Sequence, residues 1–106
     1  MENEIKELAN VIYHEARGES RRGQIAVGQV VMNRVADSRY PSTVRGVVWQ
    51  RAQFSGIRYH AGWRRFEQLA RDILEGKLEK IVGNALSFRA FSHKKARFRI
   101  GNHWFW

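Results

Sequence analysis

An amphipathic pattern near the start of the chain is the feature that most constrains its fold. Apolar residues recur there at the spacing that places side chains on one face of an α-helix, namely Ile5, Leu8, Val11 and Ile12. The pattern predicts a helix over about Ile5–Arg17, ended by Gly18. A helix of this kind buries its apolar face only against other elements, so the chain must build a helical body around it.

Glu15 breaks this pattern. At about 100° per residue it projects from the apolar face, between the directions of Leu8 and Val11. Partial burial disfavours the charged form of a carboxyl group and raises its pKa, so that the group can donate a proton near neutral pH as a general acid. A carboxylate in this position can equally tie elements together through backbone amides or a distant arginine. The pattern leaves both interpretations open.

Three more helices are predicted. They cover about Gln24–Ala36, a short segment through Val44, Val47 and Val48 capped by Ser42 or Thr43, and about Trp63–Glu75 ended by Gly76. The second helix is apolar on most sides and is predicted to be the central buried one. Asp37 is expected to cap or turn its end. Residues 50–62 are polar and aromatic, which is typical of an irregular loop that lines a site.

The last third of the chain carries a weak strand signal. Alternation over Leu86–Ala90 predicts one strand, Ala96–Gly101 is its expected partner, and Ser92–Lys95 forms the turn between them. The predicted class is therefore α+β with helix predominant, with a small antiparallel β-ribbon beside the helical body. With 106 residues, the chain is expected to form one domain, residues 1–106.

The amino-acid composition limits which kinds of site and partner the protein can have. The chain has no cysteine, which excludes disulfides and thiolate metal sites. It has 19 Lys and Arg against 10 Asp and Glu, a formal charge of +9, which indicates an anionic partner. Nucleic acid is one candidate, because basic and aromatic residues alternate in the C-terminal third. An anionic wall polymer is the other, and charge does not separate them.

Five ordered segments resemble the spore cortex-lytic, cell-wall hydrolase family of the SleB/CwlJ type. They are Ala9–Glu19 with its EARGE signature, Gly23–Val35, Tyr40–Ile57, Gly83–Phe88 and the closing IGNHWFW of Ile100–Trp106. The resemblance implies a lysozyme-like two-lobe domain that binds peptidoglycan glycan strands and cleaves the bond between N-acetylmuramic acid and N-acetylglucosamine. It also implies sugar contacts from Gln53, Phe54, Ser55, Asn84, Leu86 and Phe88. The two phenylalanines and Asn84 suit a core or turn role equally well.

Glu15 aligns with the first Glu of the signature, which implies that it is the catalytic residue. One acid suffices for a lytic transglycosylase, because the substrate's own C6 hydroxyl attacks C1. The alternatives are hydrolytic cleavage of the same polymer and a non-enzymatic basic module that binds nucleic acid or another anionic polymer. Glu2, Glu4 and Glu7 are placed at a frayed helix start. Gly18 is expected to turn Glu19 toward the first turn of the second helix, although a catalytic role for Glu19 stays open.

The sequence does not predict a metal site, a cofactor or a specific nucleic-acid partner. HEARGE resembles the zinc motif HExxH, but Gly18 stands at the second His position, and a site from His14, Glu15 and Glu19 needs His60 or His103. No metal, cofactor or specific nucleic acid is expected, and the protein is predicted to be a monomer. His103 is predicted to be a hydrogen-bonded structural residue, and residues 104–106 to cover the core.

The predicted site of action is the cell wall or spore cortex. MENEIKEL is unlike a signal peptide, and the sequence contains no run of apolar residues long enough for a membrane span. Synthesis in the cytoplasm without a signal peptide is therefore expected. A phage endolysin, a spore-layer enzyme and a trimmed fragment of a secreted enzyme all fit this expectation.

Overall fold

The structure, a computed structural model, describes residues 2–55 and 58–106, with the backbone but not the side chains of residues 51–55. In chain order the elements are α1 (Glu2–Ala16), α2 (Arg21–Ala36), α3 (Val44–Ser55), a 3₁₀ segment (Ala61–Phe66), α4 (Glu67–Leu74), β1 (Phe88–Arg89), β2 (Phe98–Ile100) and β3 (His103–Phe105). The predicted α+β class with helix predominant and a small antiparallel sheet is confirmed.

Two helices share the centre of the helical body. α1 contacts α2, α3, the 3₁₀ segment and α4, while α2 contacts α1, α3, α4 and β2. The prediction that α2 alone is central was therefore only half right. Hydropathy understates α1 because two of its buried residues, Glu7 and Asn10, are polar. The core between the helices is built mainly of aliphatic side chains from α1, α2 and α3.

Capping side chains and one glycine with positive φ determine where several helices begin and end. Ser20 Oγ accepts a hydrogen bond from the Gly23 N–H at 3.2 Å, so α2 begins three residues earlier than predicted. Thr43 Oγ1 accepts from the Gly46 N–H at 3.0 Å and caps α3. Gly76 follows α4 with φ at +69°, which confirms it as the glycine that ends this helix. Asp37 is confirmed as the C-cap of α2.

The predicted fourth helix is divided in two. Its first turns form the 3₁₀ segment, and regular α-helix starts only at Glu67. The His60 ring stacks on Tyr13 at 4.3 Å between centroids and accepts a hydrogen bond from the Gly62 N–H through Nδ1. Gly62 lies so close to Tyr13 that a Cβ there would come within 2.2 Å of the Tyr13 ring. The 3₁₀ turns therefore lie where the chain packs closely against α1 through Gly62.

The sheet has the order β1-β3-β2, and both outer strands pair antiparallel with β3. The predicted direct pairing of the first two strands was wrong. Gly101, with φ at +56°, and Asn102 form the two-residue connection between β2 and β3, so that Ile100 pairs with His103. A glycine at the first central position is typical of a tight hairpin, which places β3 directly beside β2. The other edge of β3 pairs with β1.

Candidate active site

Glu15 lies in the last turn of α1 and is half-buried, as its place on the apolar face predicted. Residues 58–60 run along α1 and are fastened to it by hydrogen bonds. Asn10 Nδ2 donates to the Arg58 carbonyl at 3.1 Å, and Asn10 Oδ1 accepts from the His60 N–H at 3.1 Å. The ring of His14 also contacts the Arg58 carbonyl through Nε2. His14, the residue before Glu15, therefore helps to fix this segment against α1.

The connection after Glu15 is anchored to the start of α2. Gln24 Nε2 donates to the carbonyls of Ala16 at 3.2 Å and Glu19 at 3.0 Å. The Glu19 N–H donates to the Ala16 carbonyl at 2.9 Å. These bonds satisfy carbonyls at the C-terminal end of α1. α1 ends at Ala16, two residues before the glycine predicted to end it, and Gly18 is not among the glycines with positive φ.

Glu19 binds the hairpin at the far end of the chain. Its Oε1 accepts from the Asn102 N–H at 2.9 Å, and its Oε2 accepts from Asn102 Nδ2 at 3.0 Å. The backbone bond from Asn102 is the main cause that lowers the pKa of Glu19, and the amide bond adds to it against the opposing effect of burial. The expected role of Glu19 in the first turn of α2 was wrong, because Glu19 precedes the cap residue Ser20.

Gly101 and His103 of the hairpin also lie close to the carboxylate of Glu19. A Cβ on Gly101 would lie 2.4 Å from Glu19 Oε1, so the turn needs glycine for its close approach as well as for its positive φ. His103 is buried, and its Nδ1 has no hydrogen-bond partner within the described residues. It lies 4.0 Å from Glu19 Oε1. The prediction of a hydrogen-bonded structural His103 was therefore right about its burial and wrong about this nitrogen.

Glu7 is a buried carboxylate that the sequence analysis missed. Only 2% of the residue is exposed, although it was placed at a frayed helix start. Its Oε1 accepts hydrogen bonds from Tyr59 O–H and from Arg45 Nη1 at 3.2 Å, with Trp49 Nε1 at 3.5 Å. Burial of the hydroxyl, and then its bond to Glu7, raise the pKa of Tyr59. Glu7 and Asn10, one helical turn apart, are both polar. The hydropathy pattern therefore does not indicate that Glu7 is buried.

The predicted sugar contacts fall in different places. Asn84 and Leu86 line a cavity of about 210 Å³ with Asn33 and Lys80. Asn33 holds this region by donating to the carbonyls of Gly83 and Ala85 at 2.9 and 2.8 Å. Since Asn33 lies near the end of α2, this cavity is at the opposite end of that helix from the Glu15 turn.

Phe88 does not present its ring to a ligand. It is buried in the core, edge-on to His103 and tilted against Phe105, which corresponds to the core alternative. Phe105 is also buried, as predicted for the chain's closing residues. The side chains of Gln53, Phe54 and Ser55 lie outside the described residues. Their backbone belongs to α3, so helix extends into the segment that was predicted to be an irregular loop.

The structure also bears on metal binding and on membrane insertion. Within residues 2–55 and 58–106, no three His, Asp or Glu side chains come together as a group able to hold a metal ion. His14 of α1 contacts the Arg58 carbonyl, and His60, which lies in the same segment as Arg58, stacks its ring on Tyr13 of α1. None of the helices in the described part of the chain is both long enough and apolar enough to cross a membrane.

The protein is rich in helix, and the half-buried Glu15 lies in the last turn of α1. Hydrogen bonds join this helix and the residues that follow it to residues 58–60, α2 and the hairpin. The Cell Wall Hydrolase family model matches residues 18–106. The chain belongs to this family, which confirms the predicted resemblance. The match begins three residues after Glu15, so the assignment does not itself depend on that residue.

Known proteins similar to the chain agree with this assignment. A spore cortex-lytic enzyme of Bacillus cereus is 41% identical over 56 residues, 53% of this chain and 22% of that protein. Another from Oceanobacillus iheyensis is 37% identical over 71 residues, 67% of this chain and 26% of that protein. The matched regions thus span about a quarter or less of these relatives.

Two solved structures are similar over nearly the whole chain. The crystal structure of the catalytic domain of the Bacillus cereus SleB protein has a TM-score of 0.78 at 30% identity, covering 99% of this chain and 90% of that one. The catalytic domain of the germination-specific lytic transglycosylase SleB from Bacillus anthracis has a TM-score of 0.76 at 29% identity, covering 99% and 94%. The expected assignment to a class of cell-wall enzymes is confirmed.

Proposed function

We propose that the chain is a catalytic domain that cleaves peptidoglycan as a lytic transglycosylase, with Glu15 as acid and then as base. The bond cleaved is the one between N-acetylmuramic acid and N-acetylglucosamine, in the cell wall or spore cortex. The observation that carries the proposal is the half-burial of Glu15 in the last turn of α1, at the position of the first Glu of the EARGE signature. Both oxygens of Glu19, the second Glu of the signature, are bound by Asn102. The solved relative from Bacillus anthracis, described as a lytic transglycosylase, supports the same reaction.

The reaction needs one carboxyl group in two protonation states. The Glu15 carboxylic acid donates its proton to the glycosidic oxygen as the C1–O bond breaks. The resulting carboxylate then takes the proton of the muramoyl C6 hydroxyl, whose oxygen attacks C1 and closes a 1,6-anhydro ring. The proton returns Glu15 to its starting state, so atoms and charge balance without a water molecule.

Three other carboxylates, Glu7, Glu19 and Asp37, are poorly suited to serve as a second catalytic group. Hydrogen bonds from Asn102 lower the pKa of Glu19 and occupy the oxygens that a nucleophile or base would use. Glu7 is buried beneath three donors. The bidentate contact with Arg39 holds the pKa of Asp37 at about 2, far below the range of a general acid at neutral pH. The one-carboxylate reaction therefore fits these residues better than hydrolysis by two.

Several residues remain proposed substrate contacts. Asn84 and Leu86 line an open cavity and can bind a part of the polymer distant from Glu15. Gln53, Phe54 and Ser55 are proposed from the family resemblance. Phe88 is left out, because its burial makes it part of the core.

Replacing Glu15 by glutamine tests the proposed catalytic residue. The amide keeps the size of the side chain and removes the transferable proton, so release of soluble muropeptides from purified sacculi should fall by about 10²- to 10⁴-fold. The free energy of unfolding should stay near that of the wild type. Glu19→Gln is the matched control and should keep most of the activity. Retained lysis by Glu15→Gln, or equal loss in both variants, would contradict the assignment.

A further inference from the structure

Two aromatic rings and two cations form a surface patch beside the N-terminal half of α1. We call Lys6, Arg45, Trp49 and Tyr59 the aromatic patch. Trp49 is 43% exposed and Tyr59 is 45% exposed, and their ring centroids lie 6.4 Å apart. Aromatic side chains with one polar end and an exposed apolar body are enriched at binding surfaces.

Glu7 holds the rings of this patch in place. The hydroxyl of Tyr59 donates to Glu7 Oε1, and the indole Nε1 of Trp49 lies 3.5 Å from the same oxygen. Each ring therefore has its polar end directed to a buried carboxylate while much of its body faces solvent. A ring that is already fixed loses less conformational entropy when a ligand binds. The arrangement is that of a preorganised contact surface.

The cations give the patch a preference for anionic ligands. Lys6 Nζ lies 4.4 Å from the centroid of the Tyr59 ring, and Arg45 Cζ lies 5.2 Å from that of Trp49. The patch thus combines flat apolar surface, which suits the C–H faces of sugar rings, with positive charge, which suits carboxylates. A peptidoglycan glycan strand offers both, because its sugars carry lactyl groups and peptides with carboxylates.

We propose that the aromatic patch is a distal binding site for the glycan strand of peptidoglycan. Eight residues separate Glu7 from Glu15, which corresponds to about 12 Å along the helix at 1.5 Å per residue. An extended polymer can contact the patch and reach Glu15 at once, whereas a fragment shorter than this distance cannot. The proposal takes its substrate class from the proposed function, but its binding test does not require cleavage.

The first test measures binding. Proteins carrying Glu15→Gln, which is intended to prevent digestion, are sedimented with purified sacculi stripped of teichoic acid. Adding Trp49→Ala should weaken binding about five- to ten-fold, the loss expected for one well-placed aromatic contact. Phe91→Ala is the matched control, since Phe91 is 65% exposed with Arg89 over its ring and lies outside the patch. It should bind like the parent protein.

The second test separates binding from chemistry in proteins with Glu15 intact. Trp49→Ala should raise KM on sacculi several-fold and leave kcat within about two-fold, while activity on short soluble glycan fragments stays unchanged. Tyr59→Phe keeps the ring and removes the bond to Glu7, so its loss of sacculus binding should be smaller than that of Trp49→Ala. Circular dichroism verifies that each variant is folded.

Three results would overturn the proposal. They are wild-type binding by Trp49→Ala, equal losses in Trp49→Ala and Phe91→Ala, and a loss of affinity for a single-stranded oligonucleotide as large as that for sacculi. The last would identify a general aromatic and basic surface instead of a glycan site. If wild-type protein binds sacculi through Trp49 but releases no muropeptides, this result would contradict the proposed function. It would still support the aromatic patch as a binding site.

Discussion

Glu7 and Glu19 lie near the two ends of α1, and distant parts of the chain bind both of them in different ways. Glu7 is bound by side chains of Arg45, Trp49 and Tyr59, the last two of which are well exposed. Glu19 is bound by the backbone and amide groups of Asn102, within a tight turn. The first contact orders side chains at the surface, whereas the second joins the end of the helix to the sheet.

This difference bears on the residue between them. Glu15 lies on a helix that is fastened on both sides, so the hydrogen bonds of Glu7 and Glu19 help to hold its backbone in place. Catalytic groups gain from such support, because small displacements from the productive geometry are costly to the rate. The comparison separates residues that stabilise α1 from the one proposed to carry the chemistry, and variants of each can test that separation.

Glu7→Gln should give the largest change in stability. Removing a charged acceptor from beneath three donors should lower the free energy of unfolding by about 2–3 kcal/mol. Urea unfolding measures this loss, and kcat per folded molecule should stay within two-fold of the wild type. Glu2→Gln is the control, because Glu2 forms an exposed ion pair with Arg71 at 3.4 Å. Its change should be under about 0.5 kcal/mol, and an equal loss in the two variants would show that Glu7 does not anchor the helix.

Glu19→Gln should give a smaller loss that depends on pH. At neutral pH we expect about 1–2 kcal/mol, the size of a hydrogen bond to a charged group. The pKa of Glu19 is lowered from 4.5 by its bonds to Asn102, so this stabilisation is complete above pH 4.5 and is lost as the pH falls through the lowered value. Urea unfolding of wild type and variant across acidic pH measures the difference.

Asn102→Ala sharpens the same measurement. It removes the amide donor and leaves the backbone N–H, so the pKa of Glu19 should move back toward its usual value. The stabilisation that is lost on acidification should then be smaller than in the wild type, and its loss should be complete at a higher pH. A wild-type advantage over Glu19→Gln that grows on acidification would contradict the assigned role of this carboxylate.

The parts of the fold that depend on local spacing could be predicted from the sequence. The apolar face of α1, the half-burial of Glu15 and the glycine after α4 all follow from residues within a few positions of each other. The pairing of β2 with β3 could also be predicted, because Gly101–Asn102 between two short strands is a hairpin signal. That signal adds a third strand next to β2, but it does not predict that β1 pairs with β3.

The two anchoring carboxylates could not be predicted in the same way. The donors to Glu7 lie 38 to 52 residues away in the chain, and Asn102 lies 83 residues from Glu19. Hydropathy treats a glutamate near a helix start as exposed, and only the fold shows that donors surround it. Buried charges of this kind are determined by tertiary packing, which explains why Glu7 was assigned to a frayed end.

The products of digestion test the central claim most directly. Purified sacculi are digested with the wild-type protein, and the released muropeptides are analysed by mass spectrometry. A single glutamate that acts as acid and then base predicts 1,6-anhydro-muramoyl ends, formed without uptake of water. Reducing muramic acid ends, each heavier by one water molecule, would show hydrolysis and would contradict the one-carboxylate mechanism.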